Sequence, residues 1–457
     1  MRNFLLLLAT ATAAIAASGE TALDRYIRKP DASYRWDVAA TLPCPNGCTA
    51  TLIDMTSQTW RKADEIDRTQ WKHWVTIVKP AKVTSSTALL FITGGANDGR
   101  PRTSVDQMIT LLAAESGAVV AEVRMVPNQP LVMAGETRKR TEDSFIAYTW
   151  DKFLRGGDEE WPARLPMTKA AVRAMDTVID FCKSDKGGNV KVDGFAVSGG
   201  SKRGWTTWTT AAVDKRVVGI APLVIDLLNL QKSFIHHWRV YGFWAPAVGD
   251  YTEMKIMDWM GTKEYARLLD IVEPYSYRAR LTMPKYIVNS AGDQFFIPDS
   301  SQFYWKDLKG EKLLRYVPNT DHSLRNSDAV QGLLAWFQSL IGNKPRPRYD
   351  WKVAKDGVIT VNAIDKPTEV KLWQASNPEA RDFRLEKIKA AYRPTSLTPD
   401  AKGRYVARVD KPAKGYTAYF VELTFPGPGK FPLKVTTQVK VLPDVYPHAA
   451  PVAKKPL

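Results

Sequence analysis

The chain has 457 residues, 44% of them hydrophobic and 25% charged, so it has the composition of a globular protein and is long enough for two domains. Its formal net charge of +16 favours anionic partners such as acidic polysaccharides, lipid headgroups or acidic peptides. The basic residues form no continuous tract and no nucleic-acid-binding motif occurs, so we expect a dispersed basic surface and no nucleic-acid partner.

The N-terminal segment 1–17 has the pattern of a secretory signal peptide. Arg2 precedes an apolar stretch that runs from Phe4 to Ile15, and Ala14-Ile15-Ala16 provides an Ala-x-Ala cleavage site. The apolar stretch is shorter than a membrane span, although an uncleaved anchor is the alternative interpretation. No other apolar stretch of the sequence approaches the length of a membrane span. The sequence therefore predicts a secreted protein, extracellular or periplasmic, without an integral membrane segment.

Three cysteines occur in the chain. Cys44 and Cys48 flank the turn sequence Pro45-Asn46-Gly47, and in an oxidising compartment we expect them to form a disulfide. Cys182 lies on the apolar face of a predicted helix and is expected to be a buried free thiol. Because no further histidine or cysteine lies near them, the cysteines predict no metal site, and we expect neither a metal nor another cofactor.

Residues 18–343 alternate between strand-like and helix-like segments, which is typical of an α/β fold with a mainly parallel sheet. The predicted strands are 49–54, 74–78, 88–93, 118–126, 190–197, 286–289 and 313–317, the first two of them antiparallel. The predicted helices are 105–116, 168–183, 205–213, 300–308 and 329–341. The segment 227–281 is aromatic and helix-rich, and we expect it to be an inserted lid.

A change of pattern begins at Lys344-Pro345-Arg346-Pro347, which has the composition of a linker. Beyond it, strand patterns are separated by turns and helical periodicity stops. The predicted strands are 358–364, 369–373, 404–409, 416–424 and 433–441. The sequence therefore predicts a β-sandwich of immunoglobulin or fibronectin-III type over 344–446. The remaining residues, 447–457, are expected to be a disordered tail.

The segment around Ser201 has the pattern of a nucleophile elbow. A predicted strand leads into Gly199-Gly200, Ser201 follows, and a helical pattern runs from Trp205. Small residues permit the strained turn that lifts a serine hydroxyl above a sheet at a helix N-terminus. Arg203 stands where the motif usually has its second glycine, and Gly204 comes one residue later. We interpret Ser201 as a nucleophile, the alternative being a glycine-serine turn without a catalytic function.

A nucleophilic serine needs a base and an acid that orients the base, and in α/β-hydrolases the acid and then the histidine follow the serine. Of the five histidines, His322 lies in a polar loop between the last predicted strand of the α/β region and its closing helix, where the base belongs. A solvent-exposed loop histidine is the alternative. Asp293 follows the preceding strand and is the predicted acid. Asp299 is the runner-up, and we favour for it the role of N-cap of the helix 300–308.

Two backbone donors are expected to form an oxyanion hole beside Ser201. Lys202, the next residue, is expected to supply one amide. Gly95 and Ala96 lie in the glycine-rich loop after the strand 88–93, where the backbone can approach closely, and this loop is expected to supply the other. The alternative for this loop is a tight turn with no catalytic duty.

Four charged residues near the elbow are candidate substrate-binding groups. Lys202 and Arg203 beside the nucleophile favour an anionic group on the substrate, although Arg203 has the alternative of a structural ion pair beneath the elbow. Glu142 and Asp143 have the chemistry to capture a substrate amine. Their alternative role is to cap the helix that follows them.

Several longer motifs resemble those of a known family. They are Ile92-Thr93-Gly94-Gly95, Val126-Pro127-Asn128-Gln129-Pro130, Thr141-Glu142-Asp143, Gly199-Gly200-Ser201-Lys202-Arg203-Gly204-Trp205, Asp226-Leu227-Leu228-Asn229 and Gly292-Asp293-Gln294-Phe295-Phe296. On these motifs the chain resembles the PhoPQ-activated pathogenicity-related protein family, over most of its length after the signal peptide. The elbow also resembles that of the glucuronoyl esterases. The family resemblance implies a secreted α/β-hydrolase-like fold, whereas relatives described as signals and others described as peptidase-like leave the activity open.

Two functions of different classes follow from these observations. The first is a secreted serine hydrolase that cleaves an ester or peptide bond through Ser201, Asp293 and His322, with a small-molecule, peptide or glycan substrate. The second is a non-catalytic signalling or virulence-related binding protein on an α/β-hydrolase scaffold. Carbohydrate recognition by the C-terminal domain is compatible with the first. The sequence specifies neither the substrate nor the oligomeric state.

Overall fold

A computed structural model describes residues 19–97 and 101–452 of the chain. The predicted signal peptide lies outside the described residues, as do residues 98–100 and 453–457. Among the residues that are described, no helix is long and apolar enough to cross a membrane.

The first three quarters of the chain alternate strands and helices. The strands are β1 (Arg35–Leu42), β2 (Thr49–Thr59), β3 (Gln70–Lys79), β4 (Thr87–Ile92), β5 (Val120–Val123), β6 (Leu131–Val132), β7 (Lys139–Arg140), β8 (Gly194–Gly200), β9 (Val217–Leu223), β10 (Lys285–Ser290) and β11 (Lys312–Val317). The helices are α1 (Ala22–Arg28), α2 (Gln107–Ser116), α3 (Glu142–Gly156), α4 (Arg164–Lys183), α5 (Lys202–Val213), α6 (Leu230–Tyr241), α7 (Gly249–Glu253), α8 (Lys263–Val272) and α9 (Ala329–Ile341).

Nine of these strands form one sheet in the order β1-β2-β3-β5-β4-β8-β9-β10-β11. The strands from β5 to β11 in this order run parallel, whereas β1, β2 and β3 are antiparallel to their neighbours. Because side chains on both faces are covered by helices, the central strands are buried along nearly their whole length, as β4, β5 and β10 show. The fold is therefore α/β with a large, mostly parallel sheet, as the sequence predicts.

The carboxyl ends of the parallel strands meet at one edge of the sheet, and the candidate site lies there. Gly199 of β8 pairs with Ile92 of β4, and Gly200 pairs with Leu223 of β9, so Ser201 follows the sheet between those two strand ends. The last residues of β10 and β11, Ser290 and Val317, pair with each other. The loops that carry Asp293 and His322 consequently leave the same edge.

The residues between β9 and β10 form the helical insertion that the sequence predicts as a lid. It contains α6, α7 and α8 and three 3₁₀ turns, at Pro246–Val248, Ile256–Trp259 and Pro274–Tyr277. The insertion packs onto the central core through buried aromatic side chains such as Phe234, Tyr251 and Trp259. Its first helix, α6, begins directly after the loop that leaves β9.

The C-terminal part contains two antiparallel sheets and one short helix. Its elements are β12 (Tyr349–Val353), β13 (Ile359–Ala363), β14 (Glu369–Asn377), α10 (Leu385–Ile388), β15 (Arg393–Ser396), β16 (Tyr405–Ala407), β17 (Tyr416–Phe425), β18 (Leu433–Thr436) and β19 (Lys440–Leu442). One sheet has the order β12-β13-β16 and the other β15-β14-β17-β18, with β19 also pairing with β17. The segment predicted as one strand, 433–441, is thus two strands, because each pairs with a different half of β17.

The C-terminal sheets share packing and hydrogen bonds with the α/β part. The Tyr316 amide of β11 donates to Oγ1 of Thr436 at 2.9 Å, and the Tyr286 hydroxyl donates to the carbonyl of Lys434 at 2.9 Å. One hydrophobic cluster contains Leu333 of α9 together with Val421 of β17. The two parts of the chain therefore bury a common core rather than two separate ones.

The predicted disulfide between Cys44 and Cys48 is not formed. Both residues are free thiols, and so is Cys182. The thiol of Cys48 is hydrogen-bonded to Cys44, and burial together with this neighbour raises the pKa of Cys48. The sulfur of Cys44 lies 3.9 Å from Oγ1 of Thr110. The turn between Cys44 and Cys48 thus brings the two sulfurs into contact without a covalent bond.

Candidate active site

Ser201 occupies a strained turn between strand β8 and helix α5. Its backbone has φ 56° and ψ −124°, a left-handed conformation that non-glycine residues rarely adopt. A side chain on Gly199 would lie 2.9 Å from the carbonyl oxygen of Arg203, and one on Gly204 would lie 2.9 Å from the carbonyl of Leu223. These glycines therefore let α5 pack closely against the sheet, and Gly204 keeps this spacing although Arg203 occupies the motif's usual glycine position.

His322 and Asp293 form a hydrogen-bonded pair at the same edge of the sheet. Nδ1 of His322 lies 2.8 Å from Oδ2 of Asp293, whose side chain is 3% exposed. The other carboxylate oxygen, Oδ1, accepts from the amide of Phe295 at 2.7 Å. The His322 amide itself donates to Oε1 of Gln294 at 3.0 Å. Both partners are held by the loops that carry them, so the carboxylate fixes which imidazole nitrogen bears the proton.

A cavity of about 410 Å³ brings Ser201 and His322 to one site. Gly94, Met108 and Leu324 are among its other lining residues. Nε2 of His322 is buried and has no hydrogen-bond partner among the described residues. Within the described part of the chain, no direct hydrogen bond therefore joins Ser201 to this nitrogen.

The backbone near Ser201 includes part of the segments predicted to supply oxyanion donors. Lys202 is the first residue of α5, and an amide at that position has no acceptor within its own helix. In the loop after β4, Gly94 lines the cavity, whereas neither Gly95 nor Ala96 does. Ala96 is exposed and forms a β-bridge with Gln129. Among the described residues of this loop, Thr93 and Gly94 are those that line the cavity.

Arg203 forms an ion pair beneath the elbow, the alternative that the sequence analysis left open. Its guanidinium binds the Glu142 carboxylate through two hydrogen bonds of 2.8 and 2.6 Å, and Nε donates to the carbonyl of Val126. A side chain on Gly94 would lie 2.4 Å from this guanidinium, so the ion pair lies directly below the cavity loop. Burial raises the pKa of Glu142, but the bonds and charges of Arg203 and Lys202 outweigh it and lower the pKa to about 2.

Lys202 and Asp143 belong to the same network. Nζ of Lys202 lies 3.0 Å from Oε2 of Glu142 and 3.0 Å from Oδ2 of Asp143. The Tyr251 hydroxyl of the lid donates to Oδ1 of Asp143 at 3.0 Å. The carboxylates of Glu142 and Asp143 are thus occupied by the cations of the elbow, and they connect the elbow to the lid.

Asp299, the runner-up acid, has a different and unpredicted set of partners. It precedes the 3₁₀ turns Ser300–Phe303 and Trp305–Asp307, which replace the predicted helix 300–308, and its side chain does not cap the first of them. Oδ1 lies 2.8 Å from Nε2 of His236 on α6, and Oδ2 accepts from Arg381 at 2.7 Å. All three side chains are buried. Sequence spacing gave no signal for this cluster, because its members lie far apart along the chain.

Asp226 is a second buried carboxyl group near this edge of the sheet. The hydroxyls of Tyr304 and Tyr316 each lie 2.6 Å from one of its oxygens. Burial raises the pKa of Asp226 to about 8, although both hydroxyls oppose the shift. The side chain is therefore protonated at neutral pH. Among the described residues, no group of three or more histidine, cysteine or acidic side chains is arranged to hold a metal ion.

Asp226→Asn is expected to make the protein less sensitive to rising pH, because asparagine imitates the protonated carboxyl group. The folded protein keeps this proton up to a pH of about 8, whereas the unfolded chain releases it near pH 4. The contribution of Asp226 to the stability of the wild type is therefore fully present below about pH 4 and is lost as the pH rises to about 8. In thermal unfolding across this range, the difference between the Tm of the variant and that of the wild type should shift in favour of the variant as the pH rises. Parallel pH profiles of the two proteins would contradict the protonated state.

The fold and the elbow together define an α/β-hydrolase scaffold. The model of the PhoPQ-activated pathogenicity-related protein family matches residues 23–384. Autocrine proliferation repressor protein A of Dictyostelium discoideum is 36% identical over 465 residues, covering 95% of this chain and 93% of that protein. The chain therefore belongs to the PhoPQ-activated pathogenicity-related protein family.

Two solved esterases resemble the chain in overall structure. Acetyl xylan esterase 1 from Thermoanaerobacterium sp. JW/SL YS485 is 15% identical, with 69% of this chain and 91% of that chain covered and a TM-score of 0.49. The glucuronoyl esterase from Solibacter usitatus is 14% identical, with 70% and 91% covered and a TM-score of 0.38. These likenesses concern architecture and define no substrate for this protein.

Proposed function

We propose that the protein is a secreted serine hydrolase that cleaves an ester or peptide bond, with Ser201 as nucleophile, His322 as base and Asp293 as the group that orients the base. The observation that carries the proposal is the placement of Ser201, in a strained elbow, in one cavity with a histidine whose Nδ1 is bound by a buried carboxylate. Elbow strain and an unpartnered buried Nε2 are both features that a catalytic site uses and a structural turn does not need.

The proposed reaction begins when Ser201 Oγ attacks the substrate carbonyl and its proton passes to Nε2 of His322. The negative charge on the former carbonyl oxygen is then stabilised by the Lys202 amide at the N-terminus of α5 and by the backbone near Gly94. The imidazolium, stabilised by Asp293, returns its proton to the leaving alcohol or amine. Water hydrolyses the acyl-enzyme by the same proton transfers in reverse order.

A fluorophosphonate probe tests this proposal, because it reacts with activated serines and not with ordinary ones. We expect the wild-type protein to be labelled, and the modified peptide to contain Ser201. Labelling should be lost on unfolding, which separates activation by the fold from chemical accessibility. A folded wild type that remains unlabelled would count against the hydrolase.

The second candidate is a non-catalytic binding protein on the same scaffold. It is favoured by the relative that is named as a proliferation repressor. If Ser201→Ala keeps the biological effect of the protein, this candidate is the better one. If Ser201→Ala loses both the biological effect and fluorophosphonate labelling, the hydrolase is the better candidate.

The proposed export depends on the segment 1–17. Expression of the full chain in a host with a secretory pathway should release a mature protein that begins shortly after Ala16. Intact-mass measurement of the secreted material checks this. Retention of the full-length chain in the cell fraction would contradict it.

A further inference from the structure

Ser201 borders a second, much smaller cavity of about 30 Å³. Its walls are mostly apolar and include Trp150, Trp205 and Phe234. The polar groups that border it are Asp143, Arg164, Lys202 and Tyr251. A cavity needs roughly 10–15 Å³ of such volume to hold one water, so this one accommodates about two water-sized atoms. It therefore fits a small substrate group rather than a whole substrate.

Arg164 is the unusual member of this cavity, because it is a buried cation without an anionic partner. The residue is 3% exposed, and its guanidinium lies over the Trp205 ring at 4.3 Å. Nη1 donates to the carbonyl of Lys202 at 3.0 Å, and Nε is buried without a hydrogen-bond partner. Burial lowers the pKa of Arg164, whereas a hydrogen bond to the hydroxyl of Tyr251 and the nearby charge of Asp143 oppose that shift. Within the described part of the chain, Arg164 thus has a hydroxyl and a carbonyl as partners but forms no ion pair with a carboxylate.

The other charges around the cavity are already matched to one another. Asp143 lies 3.0 Å from Nζ of Lys202 and accepts the hydroxyl of Tyr251. Glu142 binds Arg203 and Lys202. The three cations and two carboxylates of this region leave one positive charge in excess, and Arg164 is the cation with no carboxylate. A buried charge without a partner destabilises a protein, so its retention beside a nucleophile indicates a ligand that supplies the partner.

We infer that the cavity bordered by Ser201 and Arg164 is a subsite for a carboxylate, and that the substrate is an ester or amide whose acyl part is short and carries a carboxylate. This inference rests on the proposed function for the position of the scissile bond. The cavity's capacity matches the two oxygens of a carboxylate, and a guanidinium donates to two such oxygens at once. The apolar walls exclude water and so strengthen the ion pair. A neutral short acyl group fits the walls equally well but leaves Arg164 unpaired.

Matched pairs of small esters test the inference. Monoethyl malonate and ethyl propionate have the same number of acyl carbons and differ in the terminal carboxylate, as do monoethyl succinate and ethyl butyrate. We expect the wild type to hydrolyse the better monoester with a kcat/KM about 10- to 100-fold above that of its neutral counterpart. Equal or better hydrolysis of both neutral esters would overturn the carboxylate subsite in favour of a neutral acyl pocket.

Variants of Arg164 then test whether this residue causes the preference. Arg164→Met is expected to lower the ratio of the two kcat/KM values by about 10- to 100-fold, and Arg164→Lys to restore part of it. The ratio is used because a disturbance of the elbow affects both esters alike. Arg173→Met makes the same change on the same helix, outside the cavity, and should leave the ratio unchanged. A ratio that Arg164→Met does not alter would show a structural role only.

Failure of this inference and failure of the proposed function give different results. If a fluorophosphonate labels Ser201 but neither carboxylate ester is preferred, the subsite alone is wrong. If Ser201 is not labelled and no ester is hydrolysed, the proposed function is wrong, and calorimetry of malonate and succinate binding to the Ser201→Ala protein decides on the subsite. Binding of malonate or succinate at millimolar concentration supports the subsite if the further substitution Arg164→Met removes that binding. If neither anion binds to the Ser201→Ala protein, the subsite is wrong.

Discussion

Ser201→Ala is expected to lower kcat/KM on any ester that the protein hydrolyses by at least about 10⁴-fold, with the Tm nearly unchanged. The size of the effect follows from the chemistry, because without the hydroxyl neither the acyl-enzyme nor its proton transfer to His322 can form. Little stability is lost because Oγ of Ser201 makes no hydrogen bond to any described residue, and alanine occupies the turn at a similar backbone cost.

The histidine and its carboxylate are expected to contribute unequally to the same rate. His322→Ala should cost about as much as Ser201→Ala, since the two act as one unit, whereas Asp293→Asn should cost about 10³- to 10⁴-fold by allowing the wrong imidazole tautomer. Initial rates and fluorophosphonate labelling measure all three variants. Ser276→Ala, at an exposed serine of the lid, is the control. If His322→Ala kept full activity, the assignment of a catalytic triad would be wrong.

The largest expected effect on stability belongs to Asp299→Asn. The substitution leaves the Arg381 guanidinium buried without its carboxylate, and breaking a buried pair from one side typically costs about 3–5 kcal/mol. Denaturant unfolding should show the midpoint falling accordingly. Since Asp299 has a strongly lowered pKa, its contribution is present above the carboxyl pKa of the unfolded chain, near 4, and is lost as the pH falls below it.

Two further variants distinguish the loss of the ion pair from a general effect of the substitution on stability. Asp299→Asn combined with Arg381→Met removes both charges and should recover much of the loss. Asp365→Asn makes the same change in the exposed pair with Arg348 and should cost less than about 1 kcal/mol. If Asp299→Asn instead kept its stability and lost activity as Asp293→Asn does, Asp299 would be the catalytic acid and our assignment would be wrong.

The parts of the structure that the sequence predicts are those specified by local pattern and chain order. The elbow at Ser201 is local, since Gly199 and Gly204 stand where the packing of α5 on the sheet requires them. The sequence predicts Asp293 and His322 as neighbours because each follows a buried apolar strand, and the carboxyl ends of parallel strands lie at the same edge of a sheet. That reasoning places loops near each other, but it does not determine whether a particular hydrogen bond forms, such as one between Ser201 and His322.

The elements that the sequence analysis missed lack such a local pattern. Strand β15 is exposed along its whole length and is held by backbone pairing with β14, so its side chains carry no alternation. Strand β1, at the edge of the large sheet, is mostly exposed as well. Asp299 and Arg164 illustrate the same limit for single residues. Their surroundings come from distant segments of the chain, and only the folded arrangement decides which buried charge has a partner.

The cluster of His236, Asp299 and Arg381 has a consequence for the path that substrate takes to Ser201. It joins the first helix of the insertion to the main sheet and to the C-terminal part, and Tyr446 extends it by a bond to His236. Swinging that helix outward would break the hydrogen bond between His236 and Asp299 and expose the buried ion pair of Asp299 and Arg381 to water. We therefore expect the insertion to stay closed during turnover, and molecules to reach Ser201 through the cavity that Met108 and Leu324 help to line. Bulkier side chains at these two lining positions should slow catalysis without altering the chemistry at the serine.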